Sequence, residues 1–266
     1  MADPQRTNRH LRRVNTEPGE PVLKFMIRVL NVLLGPITHR DWRGQQNLPQ
    51  SGGIVVVANH ISNVDPLVLA QYLAYSGRWP HYLAKASLFS IPVVGRIIRA
   101  MGQIPVHRDS GAARQAVRFA DEAIEQGKAV VIYPEGTITF DPDLWPMEGR
   151  SGAVRIALKT GCPVIPVGQW GAQDIMWGKK IHFPHLLPRK TLRVITGTPV
   201  PLDDLRDQPI TPQVLAEATD RIMNEITVLV AELRQESPPA HRYDPRQTRE
   251  DQPEKRTGQP EKENPQ

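Results

Sequence analysis

The chain has 266 residues, a formal net charge of +5 and a pI near 9.5, so it is long enough for one ordinary domain with a substantial core plus tails. The basic balance favours phosphate-bearing or anionic-surface partners, while the lack of zinc-finger spacing, an arginine-rich recognition helix or an aromatic RNA-binding string argues against nucleic acid. The single cysteine, Cys162, excludes an intrachain disulfide and fits a reducing compartment. Nowhere do about 18 apolar residues run uninterrupted, which argues against a spanning helix and for a soluble or peripheral protein.

Residues 1–20 are polar, carry Arg6, Arg9, Arg12 and Arg13, show no secretory signal and read as a disordered basic arm. Val22 to Leu34 follows, with Lys24, Arg28 and Asn31 recurring at helical spacing as one narrow polar stripe. A helix with so broad an apolar face, basic flanks and too little length to span suggests an amphipathic membrane-interface element over residues 21–40. The alternative is a helix packed on the core. Gly35-Pro36 ends it.

From Asp41 onward strands and helices alternate. Ile54–Val57 is an apolar, β-branched strand leading through a polar turn to a helix at Leu67–Tyr75. Tyr82–Ala84 is a short strand ending at Lys85, Val93–Met101 a helix with Arg96 and Arg99 on its polar side, and Gln103–His107 a strand followed by Arg108. A helix spans Gly111–Gln126, with Ala113, Val117, Ala120 and Ile124 as its buried stripe, and Ala129–Tyr133 is the next strand. Gly152–Thr160 is helical, Cys162 reads as a small core residue, and Val164–Val167 and Leu192–Ile195 are strands. The last helix covers about Pro212–Glu236, with Val214, Ala218, Ile222, Ile226 and Leu229 on one face. The pattern predicts an α/β domain over 41–236, a mixed, mainly parallel sheet covered by helices. Residues 237–266, rich in Pro, Gln, Glu, Lys and Arg, read as a disordered tail.

Reactive groups in such folds sit in loops at strand ends. After Ile54–Val57 comes Ala58-Asn59-His60-Ile61-Ser62-Asn63-Val64-Asp65-Pro66. A neutral histidine is a competent base near neutral pH, and a carboxylate on its far nitrogen fixes the tautomer and stabilises the imidazolium. On a continuous helix, positions five apart sit about 140° apart, so His60 and Asp65 meet only if His60 lies in the turn and Asp65 in or before the first helical turn. Structural roles compete for the same aspartate. It suits an N-cap ahead of Pro66, or a capping-box acid three residues after Ser62.

Three more features fall at strand ends: Gly102-Gln103-Ile104-Pro105-Val106-His107-Arg108, Tyr133-Pro134-Glu135-Gly136-Thr137, and Val164-Ile165-Pro166-Val167. Together with the His60 turn, their spacing and order resemble the glycerolipid acyltransferase family, in particular its 1-acylglycerol-3-phosphate acyltransferases, over about residues 40–205. The resemblance implies the glycerol-3-phosphate acyltransferase-like fold with an N-terminal interfacial helix. His60 would be the general base and Asp65 its orienting carboxylate. Arg108 would contact the acceptor phosphate, Glu135, Gly136 and Thr137 would shape the acceptor pocket, and Pro166 would lie on a strand lining the site. The implied partners are a lysophospholipid acceptor, an acyl thioester donor (acyl-CoA or acyl-carrier protein as cosubstrate) and an anionic membrane surface. No metal or other cofactor is implied, and the expected place is the cytoplasmic face of the membrane.

The residue chemistry agrees: a hydroxyl of high pKa needs a base as it attacks the thioester carbonyl, and one positioned histidine contributes about 10²–10⁴-fold. The oxyanion needs donors that no residue pattern here identifies. Many members carry an arginine after Glu-Gly-Thr; this chain has Ile138, then Thr139-Phe140-Asp141-Pro142. Lys85, Arg108 and Arg150 remain as phosphate binders, Arg150 standing in Gly149-Arg150-Ser151-Gly152 at the start of a helix. Trp145, with Pro146 and Met147, reads either as a membrane-interface contact or as a packed loop. The rival readings are transfer to another lysophospholipid or glycerophosphate, and a non-catalytic lipid-binding protein, against which the intact His-Asp pair argues. Ser62 raises a hydrolase, but there is no G-x-S-x-G elbow.

Overall fold

At the centre lies Ile54–Ala58 (β2), every residue of which is buried. A run of apolar residues without polar alternation belongs in a sheet covered on both faces, and the computed structural model places β2 there. Residues 15–106, 112–178 and 183–246 are described, 112–116 by backbone alone. The other strands are Thr38–Arg43 (β1), Pro80–Lys85 (β3), Ile104–Val106 (β4), Ala129–Ile132 (β5), Val164–Trp170 (β6) and Lys190–Thr196 (β7). They form one seven-stranded sheet in the order β1-β7-β6-β2-β5-β3-β4. All neighbours run parallel except β6 and β7. Val57 at the end of β2 pairs with Ile132 on one side and Pro166 on the other.

The helices are Pro21–Leu34 (α1), Asp65–Tyr75 (α2), Ala86–Phe89 (α3), Val94–Ala100 (α4), Ala112–Glu125 (α5), Gly152–Thr160 (α6), Asp203–Arg206 (α7) and Pro212–Arg234 (α8). Successive side chains of β2 point to opposite faces. Val55 and Val57 join Ala120, Val154, Ala157, Ile222 and Ile226 from α5, α6 and α8. Ile54, Val56 and Ala58 join Val68, Leu69, Tyr72 and Leu73 of α2. Thr211 caps α8 by accepting from Val214 N at 3.3 Å, with Pro212 at the first helical position. Cys162 is buried in the first of these layers, and burial pushes its thiol up from its ordinary value.

Three stretches differ from the sequence reading. β1 was not foreseen, because only Thr38 among its side chains is buried and an edge strand paired on one side needs no apolar alternation. Residues 15–20, read as part of a free arm, lie against the domain instead. Asn15 Nδ2 donates to Ala74 O at 3.1 Å, while Glu17 accepts from Arg78 Nε at 3.1 Å and Trp79 N at 2.7 Å. The fully buried Arg78 needs such a partner. Glu20 lies 3.3 Å from His81 Nε2 and 3.2 Å from Lys128 Nζ, and the hydrogen bond to His81 leads the causes that draw its carboxyl down to about 2. Residues 237–246 also carry contacts: Tyr243 O accepts from Glu148 N at 2.9 Å, and Arg242 pairs with Asp220. The remainder of both predicted tails, 1–14 and 247–266, lies outside the described residues.

α1 packs on the core along one side and leaves apolar side chains exposed on another. Leu23 and Ile27 are buried with Ala70, Ala74 and Trp79, yet Phe25, Val32 and Leu33 stay 60%, 71% and 60% exposed. Among the described residues no helix is long and apolar enough to cross a membrane.

Candidate active site

The carboxyl ends of parallel strands are where open α/β sheets place ligands, and the turn after β2 is built there from side chain–backbone bonds. Asn59 is fully buried and continues the β2–β6 pairing with its own amide. Its Nδ2 donates to Gln169 O at 3.0 Å, its Oδ1 accepts from Gln169 N at 2.9 Å, and its carbonyl accepts from Gln169 Nε2 at 2.6 Å. This fixes the residue from which His60 departs.

His60 lies in the turn and Asp65 opens α2, the one arrangement that lets them meet. His60 Nδ1 is 2.9 Å from Asp65 Oδ2; the aspartate side chain is 0% exposed and the histidine 15%. Oδ2 also accepts from Ile61 N at 2.6 Å and Ser62 N at 2.7 Å. The capping role and the histidine-orienting role therefore do not compete, because one oxygen serves both. With a carboxylate on Nδ1, that nitrogen carries the proton and Nε2 keeps its lone pair. Ser62 is no nucleophile: it is fully buried, its hydroxyl donates to Met176 O at 2.6 Å, and its oxygen accepts from Val64 N at 3.1 Å.

Glu135, which the resemblance places in the acceptor pocket, is turned into the protein. It is 2% exposed, accepting from His60 N at 3.0 Å through Oε1 and from Met147 N at 3.1 Å through Oε2. Burial pushes its carboxyl up to about 8, against the pull of those two backbone donors. The same turn is closed from the other side, where Thr139 N donates to His60 O at 2.8 Å. Gly136 has φ 72°, and a Cβ there would lie 3.1 Å from Arg150 Nε, so glycine lets both the turn and the arginine fit. Arg150 N donates to Pro134 O at 2.9 Å, which brings this exposed cation onto the Glu135 turn. Thr137 is half-buried beside it.

Ile138, at the position where an arginine is common in the family, is 6% exposed and part of the interior. We expect Ile138→Arg to cost about 3 kcal/mol or more by burying an unpaired charge, read as a lower denaturation midpoint with no tighter binding of a phosphomonoester.

Lys85 is exposed at the end of β3, in register with Val106 of β4. Arg108, two residues beyond, lies outside the described residues. Pro166 is buried in β6 opposite Val57. Trp145 is 6% exposed with Arg234 stacked over it at 4.0 Å, and Met147 is 1% exposed, so this is a packed loop and not an interface contact. Tyr133 had no assigned role in the sequence, yet its ring stacks on the His60 imidazole at 4.3 Å and 21°. Tyr82 lies 6.2 Å from Tyr133 on its other side and donates its hydroxyl to Pro66 O at 2.7 Å. Burial raises both phenols well above their ordinary value. The signal available was position alone: an aromatic at the end of a strand adjacent to β2. Among the described residues no group of three or more His, Cys, Asp and Glu side chains gathers as a metal site.

The profile of the acyltransferase family matches residues 39–170. The chloroplastic 1-acyl-sn-glycerol-3-phosphate acyltransferase BAT2 of Brassica napus is 33% identical over 148 residues, 55% of this chain and 41% of that protein. The 1-acyl-sn-glycerol-3-phosphate acyltransferase of Borreliella burgdorferi is 35% identical over 127 residues, 47% of this chain and 48% of the relative. The enzyme of that name from Bacillus subtilis is 26% identical over 213 residues, 80% of this chain and 98% of the relative. The matched part of the chain thus spans less than half the length of the first two. The crystal structure of the 1-acyl-sn-glycerophosphate (LPA) acyltransferase PlsC from Thermotoga maritima superposes with a TM-score of 0.61 at 22% identity, covering 82% of this chain and 81% of that one. That likeness shows the shared fold. The matched span, residues 39–170, holds the His60–Asp65 pair, the Glu135 turn and Arg150 together, and over it the chain carries an acyltransferase-family domain.

Proposed function

We propose that the protein moves a fatty acyl chain from an acyl thioester to the free hydroxyl of a 1-acylglycerol 3-phosphate, giving phosphatidic acid for phospholipid synthesis. The observation that carries this reading is the 2.9 Å contact between His60 Nδ1 and the buried Asp65, which leaves Nε2 as the free base at the carboxyl end of the sheet. Nε2 takes the hydroxyl proton as the oxygen attacks the thioester carbonyl. The tetrahedral intermediate collapses with cleavage of the carbon–sulfur bond, and the imidazolium returns the proton to the leaving thiolate. Asp65 balances the imidazolium in between, and the stacked Tyr133 face adds a favourable quadrupole. Because the thioester is already activated, no acyl-enzyme and no cofactor is called for. Acyl-CoA and acyl-carrier protein both supply that group.

The test is transfer from one labelled thioester to a panel of lysophospholipids and glycerol 3-phosphate by the purified protein. Phosphatidic acid formed from 1-acylglycerol 3-phosphate supports the reading. Turnover of only another acceptor moves it to the second reading, an acyltransferase of different acceptor choice, which the inward-facing Ile138 favours.

For the acceptor phosphate we assign Arg150, seated on the Glu135 turn, and, on the family resemblance, Arg108. Hydrogen bonds to charged groups contribute about 1.5–3 kcal/mol. Arg150→Met is therefore expected to lose roughly 10- to 100-fold in kcat/KM for a phosphomonoester acceptor and much less for a monoacylglycerol. Equal losses on both acceptors would give Arg150 a structural role, and Arg108→Met is read in the same assay.

The exposed face of α1 supports a peripheral place at the membrane, and the single cysteine, Cys162, fits the reducing cytoplasmic side. Each fully buried Phe, Val or Leu is worth about 1.5–3 kcal/mol. Changing Phe25, Val32 and Leu33 together to serine should move the protein from sedimenting liposomes to the supernatant. Unchanged sedimentation would leave that face without a membrane role.

A further inference from the structure

The segment between β3 and β4 breaks the rule that a surface helix buries an apolar stripe. In α4 the one buried residue is Gly95. Across the α3–α4 hairpin Leu88, Ile91, Val93, Val94 and Ile97 are 41%, 45%, 64%, 42% and 37% exposed. The hairpin is nevertheless held by specific bonds. Phe89 is buried as its foot, Arg99 Nη1 donates to Phe89 O at 2.7 Å, and Gly95 N donates to Ile91 O at 2.8 Å. A Cβ at Gly95 would come within 2.1 Å of Phe89 O, so glycine permits this close approach. Val93, a β-branched residue, sits at φ 67°, a strained conformation kept while its side chain points into solvent.

Two facts say what meets this surface. From Lys85 to Val106 there is no Asp or Glu, and the charged residues are Lys85, Arg96 and Arg99. The hairpin also begins directly after Lys85, at the carboxyl end of β3, the end of the sheet that carries His60. A second copy docked face to face would bring these cations together with no acid to offset them. An anionic lipid surface offers hydrocarbon and phosphate together.

We propose that the α3–α4 hairpin is a membrane-docking element distinct from α1. Its apolar side chains enter the boundary between headgroups and acyl chains of an anionic bilayer, Arg96 and Lys85 meet lipid phosphates, and the mouth of the His60 site thereby faces the membrane. This rests on the reading of the acceptor as a membrane lipid.

The experiment uses the full chain. Ile97→Cys in a Cys162→Ser background is labelled with a polarity-sensitive dye and mixed with phosphatidylglycerol vesicles. A blue shift and brightening are expected, weaker on phosphatidylcholine and weaker again with added salt. The double variant Val94→Glu/Ile97→Glu should lose at least about 10-fold in vesicle affinity. Its melting temperature, and its turnover of a short-chain acceptor dissolved as monomers, should match the wild type. A dye that stays in an aqueous environment on bound vesicles, or wild-type affinity in the double variant, overturns the proposal. So does a lipid-free dimer that the double variant dissociates, since a second copy would then own the face. Binding and dye response need no turnover. A wild-type protein inactive on every acceptor would therefore sink the acyltransferase reading while leaving the docking result to stand or fall alone.

Discussion

His60→Ala is expected to lower turnover by about 10³-fold or more while leaving the melting temperature near that of the wild type. The ring is partly exposed, so its loss opens no large cavity, and the turn is held by backbone bonds that alanine keeps: His60 N to Glu135 and His60 O to Thr139 N. Asp65→Asn behaves differently. Oδ2 accepts from His60 and from two backbone N–H groups. An amide oxygen in that place keeps some of these bonds, but the imidazolium formed during turnover loses its balancing anion. Turnover and stability should fall together in that variant. Wild-type turnover by a folded His60→Ala protein would refute the general-base mechanism.

Glu135→Ala should be the most destabilising single change in the site, and it should act on the fold before it acts on binding. Two buried backbone donors, His60 N and Met147 N, lose their acceptor, and each orphaned group costs about 1–3 kcal/mol. Denaturant unfolding reads the loss. In the folded fraction, turnover falls because the His60 turn shifts, whereas KM for charged and uncharged acceptors moves alike. A rise in KM confined to the phosphomonoester would return Glu135 to the acceptor pocket. The pH dependence has a definite sign. The carboxyl goes from an ordinary value of 4.5 to about 8 on burial, so between those values the folded protein holds a proton that the unfolded chain has released. Its contribution to stability is complete below 4.5, falls as pH rises towards 8, and levels off above. Glu135→Gln, which has no titration, should flatten that part of the stability profile.

These two outcomes also mark where the sequence was legible. His60 and Asp65 carried their relation openly, because both lie in one short turn and the limits on their meeting follow from helix geometry. β2 and α6 were visible in their own periodicity, since each satisfies its backbone locally or shows a wholly buried run. The strap at 15–20 was not visible. Its bonds go to Arg78, Trp79 and His81, some 60 residues on, and nothing in its composition names those partners. Glu135 and Tyr133 sat in a recognised motif, but a motif says which residues recur and not which way they face. Glu135 faces inward because two backbone N–H groups need it, and Tyr133 faces His60 because β5 lies beside β2. Ile138 was informative as a missing cation, yet its burial shows that the position itself points away from solvent.

The turn after β2 also restricts what chemistry this scaffold can acquire. Three successive amide protons, at residues 60, 61 and 62, are all taken up by side-chain carboxyl oxygens. In many acyl-transfer catalysts a run of such protons beside the nucleophile cradles the oxyanion. Here that cradle is already filled from within, so in the proposed transfer the oxyanion would need donors on another segment. A serine introduced next to His60 would find a base but no receptor for the oxyanion. Serine-type hydrolysis on this turn would first require Asp65 or Glu135 to release these amide protons.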